Sequence, residues 1–185
     1  MSGPPILIFS CSLNPVSRSR KLAEAAAGGL REIGEPSDLI DLREIDLPLC
    51  DGGRSIGSAA ELAEKIAAAR GVLIAAPIYN YDVNAAAKNL IELTGSAWEN
   101  KVVGFLCAAG GRSSYMSPMG LASNLMLDFR CWIVPRFVYA SRADFAADGA
   151  LSPSVRARIG ELAVTLANAS RALAPSTKSA AGAIV

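Results

Sequence analysis

Three short stretches hold the residues whose types and spacing could do chemistry. The first reads Ser10-Cys11-Ser12-Leu13-Asn14-Pro15-Val16-Ser17-Arg18-Ser19. It lies between an apolar run, Ile6 to Phe9, and a helical pattern that begins near Arg18. Hydroxyls and backbone N–H groups at such a junction face the positive end of a helix dipole, which suits a phosphate dianion. The second reads Pro77-Ile78-Tyr79-Asn80-Tyr81-Asp82-Val83-Asn84, with two tyrosines, an Asn and a Pro that can border a flat ring. The third, Ala108-Ala109-Gly110-Gly111-Arg112-Ser113-Ser114, offers backbone N–H groups free of side-chain obstruction. Taken singly, each is equally a surface turn, and the serine stretch an ordinary helix cap. Their weight lies in falling together at one place in the topology.

Several chemistries are excluded. The chain has no His, which removes Ser-His-Asp and Cys-His catalysis and every His-ligated metal site. No GxGxxG follows a strand and no GxxxxGK[ST] occurs, so neither dinucleotide-fold nor P-loop phosphate binding is indicated. Cys11, Cys50, Cys107 and Cys131 form no CxxC pair, and read as free thiols of a reducing compartment. A low-molecular-weight phosphatase is a minor alternative, since its Cys nucleophile also follows the first strand. It needs a C-x5-R spacing, however, and Cys11 and Arg18 have six residues between them. Net charge is +1, which argues against a nucleic-acid or membrane partner and against the acidic surface of a dedicated electron carrier.

The elements that must position these stretches follow from periodicity. Strands are predicted at Ile6–Phe9, Ser37–Leu42, Val72–Ala76 and Val102–Ala108, with a fifth strand broken around Pro135 into Cys131–Val134 and Phe137–Tyr139. Helices are predicted at about Arg18–Glu32 with Ser17 as N-cap, Ala59–Ala69, Ala85–Thr94, Ser117–Phe129, and Pro153–Leu173 behind the cap Ser152. Arg43 to Ser58 reads as an irregular surface loop and Pro77 to Asn84 as a loop at a strand's carboxyl end. The alternation of strand and helix implies an α/β fold with a parallel sheet and helices on both faces. Ligands of such sheets sit at the carboxyl ends of the strands, where the three stretches converge. One domain is expected over residues 1–174, with 175–185 as a flexible tail.

The chain resembles the NADPH-dependent FMN reductases, a branch of the flavodoxin-like flavoproteins. Their first loop reads roughly GSxRxxSxN or GSxxxxSRS, and Ser12 and Ser17-Arg18-Ser19 match. Their second signature, roughly P-x-Y-N-x-x-x-P-x-x-L-K-N, is met by Pro77, Tyr79, Asn80, Lys88 and Asn89. The Gly110-Gly111 loop also fits. Cys11, Asn14 and Asn84 depart from the pattern, standing where the family has Gly, Arg and Pro.

The resemblance implies a flavodoxin-like three-layer sandwich with a five-stranded parallel sheet in the order 2-1-3-4-5. It implies a flavin mononucleotide (FMN) phosphate on Ser10, Ser12, Asn14, Ser17, Arg18 and Ser19. Pro77, Ile78, Tyr79, Asn80 and Tyr81 would border the ring, and Gly110, Gly111 and Arg112 its polar edge. Arg112 is also a candidate for the 2′-phosphate of NADPH. The implied activity is hydride transfer from NADPH or NADH to flavin, then to a second acceptor such as free flavin, a quinone, an azo compound or a metal oxyanion. No side-chain acid or base is required. The rival reading is a non-enzymatic flavodoxin-like electron carrier or binding module.

A homodimer or homotetramer is expected by the same resemblance, with Trp98, Met116, Met119 and Met126 as candidate contacts. The apolar runs are too short for a signal-peptide core or a membrane span, so the cytoplasm is the expected location.

Overall fold

The computed structural model describes residues 3–53 and 56–174; the expected tail at 175–185 lies outside them. Strand β1 (Ile6–Ser10) is fully buried, and its side chains divide alternately between two cores. Ile6 and Ile8 pack with Leu22 and Leu30 of α1 (Arg18–Glu32) and with Ile159, Leu162 and Leu166 of α5 (Pro153–Ala172). Leu7 and Phe9 pack on the opposite face against α2 (Ser58–Ala68), α3 (Ala85–Thr94) and α4 (Pro118–Phe129). A strand apolar on both faces is what two helical layers require, hence the unbroken Ile-Leu-Ile-Phe run.

The sheet is completed by β2 (Ser37–Asp41), β3 (Gly71–Tyr79), β4 (Asp82–Val83), β5 (Val102–Ala108), β6 (Trp132–Ile133) and β7 (Val138–Ala140). Its order is β2-β1-β3-β5-β6, with β7 continuing alongside β5 beyond β6. These pairings are all parallel. Since β6 and β7 are two pieces of one broken strand, this is the expected flavodoxin-like order. The break falls at Pro135-Arg136, where Pro lacks a ladder donor and Arg136 has φ +59°.

Helix limits agree with periodicity to within a residue. The clear departure is at Pro77–Asn84, expected as a loop. There β3 continues to Tyr79 and folds back as the antiparallel β4, pairing Ile78 with Val83 and Tyr79 with Asp82. The partner strand β5 runs alongside as far as Ala108, opposite Pro77, so the ladder carries the chain past the proline.

Leu166 sits where α5 crosses the sheet, fully buried over two strand glycines. A Cβ at Gly71 or Gly104 would come within 2.9 and 3.2 Å of its methyl carbons, so this side chain fills the space those glycines leave. Leu166→Ala is expected to lower unfolding free energy by about 2–5 kcal/mol. Urea denaturation should show a lower midpoint at unchanged m-value.

Candidate functional site

In the register of the sheet, Ser10 lies beside Ala75 and Ala75 beside Leu106. The chain segments leaving β1, β3 and β5 therefore emerge from one edge. Cys11 N–H still donates to Ala75 O (2.9 Å), and the chain then turns away. Ser12 Oγ accepts from Asn14 N–H (3.3 Å), and Asn14 Oδ1 from Val16 N–H (2.9 Å). Ser17 is extended and caps α1, accepting from Arg20 N–H at 3.1 Å. Its hydroxyl lies 3.0 Å from that of Ser19. The first turn of α1 contains no acidic residue, and the N–H groups of Arg18 and Ser19 have no intrahelical acceptor.

Between β3 and β4, Asn80 and Tyr81 take φ of +51° and +62°. Two left-handed central residues make the hairpin turn whose twist matches the strands. For Tyr the conformation costs on the order of 1 kcal/mol, strain held by the flanking ladder. Asn84, at the start of α3, donates from Nδ2 to Cys11 O (2.8 Å, buried), which ties the second loop to the first. Tyr81 Oη donates to Ser113 Oγ (3.2 Å), which ties it to the third. The glycine loop is gripped from behind by Tyr139, whose hydroxyl donates to Gly111 O (2.7 Å) and lies 2.7 Å from Ser114 Oγ. Ala109 N–H is taken by Ala140 O (2.8 Å), whereas Gly110 N–H makes no hydrogen bond among the described residues.

These segments line one cleft of about 1050 Å³. It brings together Ser12, Asn14, Ser17, Arg18 and Ser19, then Pro77, Ile78, Tyr79 and Asn80, then Ala108, Ala109 and Gly110. Other expected residues lie elsewhere. Ser10 is a strand residue with no exposure, its Oγ buried and unpartnered. Tyr81 is carried past the cleft by the hairpin turn and borders a smaller hollow with Ser113 and Met116. Gly111 and Arg112 are also off the cleft wall, Arg112 lining a separate hollow with Tyr115, Asp144 and Arg158. In that hollow burial raises the Asp144 carboxyl, but hydrogen bonds from Ser141 and the charges of Arg112 and Arg158 prevail and hold it below its ordinary value.

The cleft fits a flavin phosphate and ring: hydroxyls and free helix N–H groups at one end, strand-end apolar residues and an unblocked glycine at the other. A Cβ at Gly110 would meet nothing within 4 Å, so the protein leaves that space open. The sequence model of the NADPH-dependent FMN reductase family matches residues 4–145. The chain belongs to that family. It is an oxidoreductase of the NAD(P)H-dependent flavin class.

The fold has matching counterparts among solved structures. An NADH:FMN oxidoreductase aligns at TM-score 0.74 and 18% identity, over 90% of this chain and 89% of that one. The flavoenzyme NAD(P)H:(acceptor) oxidoreductase of Paracoccus denitrificans aligns at 0.74 and 17%, over 91% and 98%. A WrbA-like flavodoxin from Agrobacterium tumefaciens aligns at 0.65 and 14%, over 93% and 99%. No curated protein sequence matches the chain significantly.

Around this cleft, the residues that depart from the family's pattern have structural roles. Asn84 and Cys11 are hydrogen-bond partners through the Cys11 carbonyl. Cys11 keeps ordinary backbone dihedrals, so nothing there demands the family's glycine. Its Sγ is fully buried, and burial pushes the thiol pKa far above its usual value. A protonated thiol inside the core is no phosphatase nucleophile. Of the second signature, Lys88 pairs with Glu92 on the surface (2.8 Å), and Asn89 holds the Pro48–Cys50 segment, accepting from Cys50 N–H and donating to Pro48 O, each at 2.8 Å.

Sequence reasoning missed one wall of the cleft. Arg142, Phe145, Ala146, Ala147, Asp148 and Gly149 line it opposite α1. The capping box of Ser141 and Asp144 was its one legible signal, an S-x-x-D start before a short turn. Lys21 Nζ donates to Gly149 O (3.0 Å) and Asp148 O (3.4 Å), which clamps the wall to α1.

Burial ranks the thiols. Cys11, Cys107 and Cys131 are buried and Cys50 is half-buried. Ellman's reagent at pH 8 is expected to titrate no more than Cys50 in native protein and all four thiols in guanidinium.

Proposed function

We propose that the cleft binds FMN and that the protein is an NAD(P)H-dependent FMN reductase. The observation that carries the reading is the junction, in one cavity, of the Ser12–Ser19 hydroxyls and helix N–H groups with the Pro77–Asn80 and Ala108–Gly110 walls. Ser12, Ser17 and Ser19 would hold the phosphate together with the N–H groups of Arg18 and Ser19, where the dipole favours a dianion. Asn14 and Arg18 border the same end; Arg18 keeps its guanidinium 5.8 Å from the centre of the Phe145 ring. Pro77, Ile78, Tyr79 and Asn80 would border the ring, and Gly110 N–H is the free donor for its polar edge. Bound there, FMN would supply the redox chemistry, accepting hydride from NADPH or NADH and passing electrons to free flavin, a quinone, an azo compound or a metal oxyanion. The residues supply placement and N–H donors for developing negative charge, and no His is needed.

The reading also includes a cytoplasmic location, in keeping with four free cysteines. It includes assembly as a homodimer or homotetramer. Met116, Met119 and Met126 are exposed, as are Leu127 and Trp132. Trp98, expected with them, is instead wholly buried, its Nε1 donating to Thr94 Oγ1 at 2.7 Å. Light scattering on the purified protein should give the mass of two or four chains.

Purified protein should be yellow or bind added FMN, and should then oxidise NADPH or NADH in steady state. Absence of FMN affinity overturns the reading; FMN binding without NAD(P)H oxidation leaves a carrier. Ser19→Ala removes one phosphate donor and spares the capping bond of Ser17. It is expected to weaken FMN binding about tenfold, with a small change in Tm.

A further inference from the structure

We propose that Tyr139 is a positioning residue for the redox reaction, its hydroxyl aiming the glycine loop at the polar edge of the flavin. The proposal rests on the FMN reading, because it takes Gly110 N–H as the donor to that edge. Gly110 and Gly111 are the least constrained part of their loop. Both are exposed, and a Cβ at either would meet nothing within 4 Å. Their N–H groups make no hydrogen bond among the described residues. Adjacent glycines have more backbone freedom to lose than any other pair, so packing alone does not fix where these N–H groups point.

Among the described residues, the hydrogen bond from Tyr139 Oη to Gly111 O (2.7 Å) is the only one that either glycine makes. A carbonyl cannot donate, so the phenolic proton lies toward Gly111. The Ser114 hydroxyl, 2.7 Å from Tyr139 Oη, then donates to that oxygen. The result is a chain from Ser114 through Tyr139 to Gly111, in which each bond polarises the next. Tyr139 is itself held fast. It is buried on β7, in register with Cys107 of β5, and its carbonyl accepts from Arg158 at 3.3 Å. Its ring meets Tyr115 edge-on, with centroids 5.5 Å apart. The sheet thus sets the loop's position through one hydroxyl. That hydroxyl is not needed to satisfy a buried acceptor, because Gly111 is exposed and solvent can replace the bond. Its consequence is aim rather than stability. Aim matters most for the reduced flavin, whose pyrimidine edge gains negative charge. A preorganised N–H stabilises that charge more than it does the neutral oxidised ring. Tyr139 thereby favours reduced over oxidised flavin without touching either.

The test compares wild type with Tyr139→Phe, which keeps the ring and removes the hydroxyl. It measures FMN affinity by fluorescence quenching, the midpoint potential of the bound flavin, and the Tm of the apoprotein. Tyr139→Phe is expected to lower affinity for reduced FMN about tenfold more than for oxidised FMN, a potential about 30 mV more negative. The apoprotein should keep a Tm close to that of wild type. Ser114→Ala, which removes the far end of the chain, should move the potential in the same direction by less. It carries the test alone if Tyr139→Phe does not fold. An unchanged potential in a folded variant that binds FMN overturns the proposal. So does a comparable loss of affinity for both forms of FMN, which is what a merely structural tyrosine would give. Failure of wild-type protein to bind FMN overturns the FMN reading instead, and is seen before any variant is compared.

Discussion

The common carboxyl edge of β1, β3 and β5 is the constraint on which the rest of the structure depends. Because the strands are parallel and in register, three segments far apart in sequence leave the sheet side by side. Burial enforces that register. A one-residue slip of β1 would exchange Ile6 and Ile8 with Leu7 and Phe9 between cores of different shape, with Phe9 beside Trp98 (ring centroids 6.3 Å apart) on one face only. The site thus inherits its geometry from the hydrophobic layers beneath it.

On that edge the loops are held to one another by polar contacts that contribute little individually. Asn84 reaches the Cys11 carbonyl, Tyr81 reaches Ser113, and Tyr139 holds Gly111. The left-handed pair Asn80-Tyr81 shows where folding energy is used to aim the backbone rather than to relax it. The start of α1 is suited to an anion by omission as much as by supply. A helix start without a carboxylate leaves its N–H groups and dipole for a ligand.

Departures from the family's sequence pattern are absorbed where they occur. Cys11 replaces a glycine at a position that needs no left-handed backbone, and its thiol disappears into the core. Asn84 replaces a proline and contributes a side-chain bridge. Asn14 replaces an arginine and spends its Oδ1 on the Val16 N–H, shaping the loop. The cationic groups of the cleft stand on α1 and on the wall after β7.

The amino-acid sequence by itself determined the layered fold, since runs such as Ile6–Phe9 and Val72–Ala76 and the helical spacing of Leu22, Ala26 and Leu30 encode which faces are buried. It also determined the phosphate-loop candidates, because serine hydroxyls ahead of a helix start are a local signal. Only the tertiary structure decided which candidates share the cleft. Pairing with β5 carries β3 through Pro77 to Tyr79, and the hairpin turn then takes Tyr81 away; Arg112 leaves with the glycine loop that Tyr139 holds. Where the 142–149 wall would lie was illegible for the same reason, its capping box marking only a turn. Its place opposite α1 depends on α5 packing against α1 and on one Lys21 clamp spanning more than a hundred residues, and no local pattern encodes a contact between such distant segments.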